Sequence, residues 1–281
     1  MSTSAGTTAA GLPDLAAAAL AAAPVALVAF DLDDTLAPSK SPLPDAVAQV
    51  LGDLLQRVPV CVISGGQYGQ FTQQLLARLD LTPELAARLH LMPTCGTQYY
   101  RWDGEGFGQV YAHTLTQDER DRALTALRTR AVELGLWESE TWGEVLEDRG
   151  SQVTFSALGQ QAPVDAKAAW DPTGERKGAL RDAVAADLPD LEVRSGGSTS
   201  VDITRRGVDK ATGMRALVDL VGVPLTDMVF VGDRLDEGGN DRPVLDLGVR
   251  CHAVHGWEDT VAFLRGRLLP HLDARHGDAG S

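Results

Sequence analysis

Three carboxylates, Asp31, Asp33 and Asp34, stand within four positions directly after the apolar run Val25–Phe30. Carboxylates this close repel one another and raise each other's pKa unless a cation shares them. A hard divalent ion with oxygen ligands is the least costly relief, and Mg2+ is the usual one. The stretch VALVAFDLDDTL therefore points to a metal site with Asp31 and Asp33 as candidate ligands, and to an aspartate nucleophile. The same residues would also suit a β-turn whose Asp side chains cap the next helix. Further along, Ser64-Gly65-Gly66 follows the apolar run Val58–Ile63. A hydroxyl and two glycines between a strand and a helix make an anion cradle, or simply a turn with a Ser cap. Lys210 opens a late helical pattern, and the apolar Asp227–Gly232 runs into Asp233, Asp236, Glu237, Asn240 and Asp241. Together these are the parts of a phosphoryl-transfer site: a nucleophilic carboxylate, a neighbouring acid for the proton, cations, and donors for the phosphate oxygens.

The elements that must position them are legible in outline. Continuous apolar runs at 25–30, 58–63 and 227–232 read as strands buried on both faces of a parallel sheet, whose carboxyl ends bind ligands. Leu15–Ala23 reads as a helix stopped at Pro24, and apolar residues at Val47, Val50, Leu51, Leu54 and Leu55 keep a helical period. From Gln98 the pattern changes. Gln98–Trp102 and Gln109–Leu115 read as a hairpin around Asp103–Gly106, and Thr116 with Glu119 forms a capping box for a helix to Leu136. Val145–Leu158 reads as one strand, 165–188 as helix broken near Pro172–Gly174, and 191–204 as two strands around Ser195–Gly197. The expected fold is α/β: a parallel-sheet core of residues 1–97 and 206–281, with an α+β domain of residues 98–205 inserted in it.

Composition bounds the rest. The 281 residues are 44% hydrophobic, enough for a sizeable core. A formal charge of −14 argues against nucleic acid or an anionic membrane as partner. No apolar run approaches the roughly 20 residues of a membrane span, and Leu15–Ala23 lacks the basic leader of a signal peptide. Cys61, Cys95 and Cys251 have no metal-ligand spacing and read as buried thiols of a reducing compartment, so a cytoplasmic protein is expected. The start through Pro13 and the tail from Asp273 are small or polar and read as mobile.

The four segments in this order resemble the haloacid dehalogenase superfamily of phosphatases and phosphomutases: Asp31-Leu-Asp33-Asp-Thr35, Ser64 after its strand, Lys210, and Gly232-Asp233 with Asn240-Asp241. The resemblance implies a Rossmann-like core with a cap inserted between the second and third segments. It also implies Asp31 as nucleophile, Asp33 as general acid/base, Ser64 and Lys210 as phosphate ligands with Gly65 beside them, and Mg2+ as cofactor. Asp233 joins Asp31 and Asp33 around the metal, with Asn240 and Asp241 just outside. Within the superfamily, residues 232–241 look like the eukaryotic-type α-phosphomannomutases. Arg149–Gly159 is similar to the cap segment that opens with a sugar-phosphate-binding arginine. Gly196–Asp202 is similar to the one whose Ser and Asp, here Ser200 and Asp202, contact the sugar. Lys40 stands at the position of a core-loop arginine, and Lys167 near another cap arginine.

Three positions depart from that pattern. Asp34 replaces a glycine, Gln160 stands for a second cap arginine, and Lys40 gives up the bidentate fork of arginine. A mutase must grip a second phosphate on its cap, whereas a phosphatase needs one phosphate site and a water. The expected activity is therefore Mg2+-dependent hydrolysis of a phosphosugar, with a phosphomannomutase-like phosphohexose mutase as the alternative and a non-catalytic sugar-phosphate binder behind both. The expected partner is the small phosphosugar. Family mutases also pair through their caps, for which this sequence offers no strongly apolar cap surface.

Overall fold

The computed structural model describes residues 6–7 and 12–278. The expected mobile start falls largely on residues outside these. A short antiparallel pair of Gly6–Thr7 with Pro13–Asp14, where a mobile start was expected, precedes strands β1 (Leu27–Phe30), β2 (Val60–Ile63), β3 (Leu89–Met92), β4 (Gln98–Trp102) and β5 (Phe107–Ala112). Strands β6 (Leu146–Asp148), β7 (Gln152–Ser156), β8 (Leu191–Ser195) and β9 (Ser200–Arg205) follow, then β10 (Met228–Gly232) and β11 (Arg250–Ala253). The principal helices are α1 (Asp45–Leu55), α2 (Tyr68–Gln74), α3 (Gln117–Glu133), α4 (Glu175–Asp187), α5 (Lys210–Val221) and α6 (Trp257–Phe263). The chain divides into two compact units, one of residues up to Tyr111 and from Asp209 onward, the other Ala112–Val208.

The first unit is built on a seven-stranded sheet in the order β11-β10-β1-β2-β3-β4-β5. Its pairs from β11 through β3 are parallel, and β4 joins antiparallel. Alternation along each buried strand feeds two cores. Val28, Phe30, Val60, Val62, Val229 and Val231 face one that also takes the apolar faces of α1 and α6. Leu27, Ala29, Cys61, Ile63, Met228 and Phe230 face the other, with Met214 and Leu217 of α5. The period read from Val47 to Leu55 is the buried face of α1, each such side chain contributing roughly 1.5–3 kcal/mol.

The Gln98 hairpin forms as expected, but it extends this large sheet instead of opening the inserted unit. Tyr99 decides its place: it is buried, meets His90 of β3 at 2.7 Å, and packs in the second core. The C-terminal helix runs on to Asp278 where a loose tail was expected, and Asp273 there pairs with Arg57 at 2.6 Å.

The second unit is a four-stranded antiparallel sheet, β8-β9-β7-β6. Val153, Phe155, Val201 and Ile203 share a core with Leu127 of α3 and with Leu180 and Val184 of α4. The capping box is present: Thr116 Oγ1 accepts from Glu119 N, and Glu119 accepts from Thr116 N. The single strand expected over Val145–Leu158 is two, β6 and β7. Asp148 Oδ1 accepts from Gly150 N at 2.8 Å and turns the chain there. Among the described residues no helix is long and apolar enough to cross a membrane.

Candidate active site

Asp31 directly follows β1, and its N–H still pairs with Val231 of β10 at 3.0 Å. Asp233 directly follows β10, next to β1 in the sheet. The parallel pairing thus brings two acids far apart in sequence to one end of the sheet. Asp241 returns to them through a loop clasped on itself: Arg234 N donates to Asp241 Oδ2 at 3.1 Å, and Asp241 N donates to Arg234 O at 3.1 Å. Oxygens of Asp31, Asp233 and Asp241 all lie within 4.8 Å of one another.

Lys210 is the first residue of α5, whose start is capped by Asp209 accepting from Thr212 N at 2.8 Å. The lysine is fully buried, with Nζ 2.7 Å from Asp31 Oδ1 and 2.6 Å from Asp241 Oδ1. Asp31 Oδ1 also accepts from Leu32 N at 2.7 Å. One oxygen of Asp31 is thereby pinned, and among the described residues no donor meets the other, Oδ2. Thr35 Oγ1 donates to Asp233 Oδ1 at 3.3 Å and is held in turn by Thr260, which donates to Thr35 O at 2.7 Å.

Three carboxylates against one ammonium leave negative charge unmet in a nearly dry site. Burial, with Asp241 and Asp233 adding to it, drives the Asp31 carboxyl well above its usual range against the pull of Lys210. Burial together with Asp241 pushes Asp233 up to about 6. Burial alone would strip the proton from Lys210, but Asp241 and Asp31 outweigh it and raise its pKa. Hard oxygen donors with excess negative charge fit a divalent cation.

Asp33 is not in that group. Its carboxylate turns to Lys40 N (2.8 Å), Gln70 Nε2 (2.8 Å) and Gln74 Nε2 (3.3 Å), where the sequence placed it among the metal ligands. Asp241, expected just outside the metal, takes its place in the cluster, while Asn240 is exposed. Asp34 has φ of 58°, the left-handed conformation that favours glycine, and Asp is among the residues that tolerate it. Its N–H donates to Ala37 O at 2.7 Å and its Oδ1 accepts from Ser39 N at 3.0 Å. Asp34 thus stands in a backbone conformation that glycine also adopts readily. Lys40, also at positive φ, is exposed.

Ser64 ends β2, beside β1, and is buried with Oγ accepting from Gly66 N at 3.2 Å. Gly65 is half-buried, with Cys95 Sγ 4.0 Å from where a Cβ on it would stand. Cys95 is half-buried, not buried as expected, because it lies in a left-handed turn, Thr94 and Cys95, beyond β3. Cys61 and Cys251 are buried thiols.

A family profile described as haloacid dehalogenase-like hydrolase matches residues 165–254. Over that segment the chain resembles the haloacid dehalogenase-like hydrolases. It is similar to a phosphomannomutase of Saccharomyces cerevisiae, 24% identical over 86% of this chain and 93% of the yeast one. A probable phosphomannomutase of Caenorhabditis elegans is 23% identical over 88% and 96%. The fold is that of Plasmodium falciparum IMP-nucleotidase (TM-score 0.67, 14% identity, covering 89% of this chain and 69% of that one). It is also that of a trehalose-6-phosphate phosphatase related protein (TM-score 0.53, 16% identity, 85% and 95%).

In the second unit, the face of the sheet opposite its core is polar. Thr154 Oγ1 donates to Asp202 Oδ1 at 2.8 Å, Ser156 meets Ser200 at 3.2 Å, and Gln160 Nε2 donates to Ser156 Oγ at 2.9 Å. Lys167 Nζ donates to Gln160 O at 3.3 Å. These hydrogen bonds link Lys167 through Gln160 and Ser156 to Ser200, while Asp202 pairs with Thr154 on the same face. Arg149, in the turn between β6 and β7, donates to Glu147 at 2.7 and 3.0 Å, and Asp148 pairs with Arg120 instead. The sequence reading missed Gln70 and Gln74. Their spacing of four on the helix after Ser64-Gly65-Gly66 was the available signal.

Proposed function

We propose that this chain is a Mg2+-dependent phosphosugar phosphatase working through an aspartyl-phosphate on Asp31. The observation that carries this is Asp31 itself, with one oxygen fixed by Lys210 and Leu32 N and the other left open at the end of β1. In this reading the open oxygen attacks phosphorus and the ester bond to the sugar oxygen breaks. Asp33 gives that oxygen its proton, then takes one from the water that attacks the phosphorus of the acyl phosphate. Lys210 and Ser64 hold the non-reacting phosphate oxygens, with the N–H groups at Gly65 and Gly66. Mg2+, held by Asp31, Asp233 and Asp241, would supply the positive charge that the cluster and the phosphate both lack.

Arg149, Lys167, Ser200 and Asp202 are assigned to the sugar part of the substrate, and the inserted unit to specificity. The pattern of the phosphomannomutases supports a sugar there. Their mutase activity is the second reading, favoured by similarity running nearly end to end. Against it, Arg149 already gives two donors to one oxygen of Glu147 and Gln160 supplies an amide, so the polar face is richer in acceptors for hydroxyls than in cationic grip for a second phosphate. Three free thiols suit a reducing cytoplasm.

The deciding assay supplies mannose 1-phosphate with and without a catalytic amount of hexose 1,6-bisphosphate. Steady release of inorganic phosphate is expected. Formation of mannose 6-phosphate only when bisphosphate is present would establish the mutase instead. Asp31→Asn should abolish either activity, and turnover well above background in that variant would refute the nucleophile.

A further inference from the structure

We propose that Gln70 and Gln74 are positioning residues for the proton-transferring carboxylate of Asp33, an inference that rests on the reading of Asp33 given above. The Asp33 carboxylate is met from two places besides its own loop end. Lys40 N reaches Oδ1 at 2.8 Å, Gln74 Nε2 reaches Oδ1 at 3.3 Å, and Gln70 Nε2 reaches Oδ2 at 2.8 Å. Gln70 and Gln74 are one turn apart on α2 and so project from the same face. A carboxylate can only accept, which turns the NH2 end of each amide toward it. Gln70 Nε2 also donates to Gln74 Oε1 at 2.8 Å, so the two amides fix each other's orientation.

Two further observations tie this pair to the site. Gln74 is 3% exposed although it is polar, and its carbonyl accepts from Leu43 N at 2.9 Å, which locks its backbone as well. Burying an amide is costly unless its groups are used, and here both ends are. The second is Gly66. A Cβ added there would stand 2.2 Å from Gln70 Oε1, so the amide of Gln70 lies in space that only a glycine leaves. The glycine of the Ser64 turn and the amide on Asp33 are therefore fitted to one another.

The choice of amides suits the task. An ammonium or guanidinium at this position would hold Asp33 as a fixed ion pair, whereas an amide orients the carboxylate without carrying charge or competing for the proton. A purely structural role, tying the Asp34–Ser41 loop to α2, uses the same hydrogen bonds but makes no distinction among substrates.

Leaving groups make that distinction. The ratio kcat/KM reads only the steps up to the aspartyl-phosphate. In those steps an unactivated sugar oxygen needs a proton from Asp33, while p-nitrophenolate leaves without one. Gln70→Leu and the nearly isosteric Gln74→Glu should each lower kcat/KM for mannose 6-phosphate about tenfold to a hundredfold, as expected for a displaced acid. For p-nitrophenyl phosphate the change should stay within about threefold on the same grounds. In an Asp33→Ala background neither change should lower the sugar-phosphate value further. An equal fall for both substrates, no fall for either, or an added fall in the Asp33→Ala background overturns the positioning role. If Asp33→Ala itself affects both substrates alike, the assignment of Asp33 as the acid fails and takes this inference with it.

Discussion

Replacing Lys210 with methionine puts an unbranched apolar side chain, one atom shorter, in a fully buried site and removes the ammonium. Two contacts are lost, at 2.7 Å to Asp31 and 2.6 Å to Asp241. Taking one partner from a buried charge network costs about 3–5 kcal/mol, because the remaining carboxylates keep their desolvation penalty without compensation. For a domain of this size each kcal/mol moves Tm by about 2–4 °C, so Lys210→Met should melt on the order of 10 °C below the native chain at pH 8. The gap should depend on pH, and its sign follows from Asp31. Burial already raises that carboxyl above its unfolded value, and Lys210 is the cation opposing the rise. A raised carboxyl contributes stability that is complete at low pH and lost as pH climbs through the raised value. Without the lysine the raise is larger, so the deficit is greatest at pH 8 and narrows toward pH 5. Melting both proteins across that range in a metal-free buffer measures it, and kcat/KM should fall at least a hundredfold in parallel. A Tm gap that stays constant with pH, or none at all, would show that Lys210 does not balance this carboxylate.

Other outcomes follow from the same geometry. Gly213→Ala places a Cβ 2.5 Å from Ile63 Cδ1 and 2.8 Å from Cys95 O. Calorimetry should show a loss of about 1–3 kcal/mol, and kcat should fall as α5 and its lysine shift. His90 is held at about 4 by burial and by Arg101, against an ordinary 6.5. A histidine depressed in the fold costs stability as pH falls from 6.5 toward 4, on the order of 3 kcal/mol here. His90→Gln should flatten that part of the Tm–pH curve, leaving the slope due to His252, also held at about 4. Arg149→Ala should raise KM for phosphosugars and leave p-nitrophenyl phosphate little changed. The Arg149→Ala/Glu147→Ala pair serves as control, because the arginine also satisfies Glu147.

What was readable in advance is what repeats or sits next to a repeat. The unbroken apolar runs of β1, β2 and β10 fixed where Asp31, Ser64 and Asp233 must emerge, and the residue that opens α5 was visible from its pattern. Asp33 and Asp241 exchanged their expected places because loops carry no period. Asp241 is drawn inward by the clasp with Arg234, and Asp33 outward by two amides on a helix that begins many residues later. The polar hairpin at Gln98 looked foreign to a parallel sheet, yet buried Tyr99 anchors it there. Val145–Leu158 hid a turn because Asp148 and Gly150 interrupt an otherwise strand-like composition.

The place of β1 in the sheet has a consequence for biosynthesis. Its neighbours are β2, made soon afterwards, and β10, made only after the whole inserted unit has been synthesised. Until then the strand that carries Asp31 presents an open, apolar edge on a nascent chain. Non-local parallel pairing of this kind is slow and aggregation-prone, so the assembly of the core, and with it the acidic cluster, waits until late in synthesis. Chains truncated before Met228 should accumulate as chaperone-bound or insoluble species even when the sequence around Asp31 is intact.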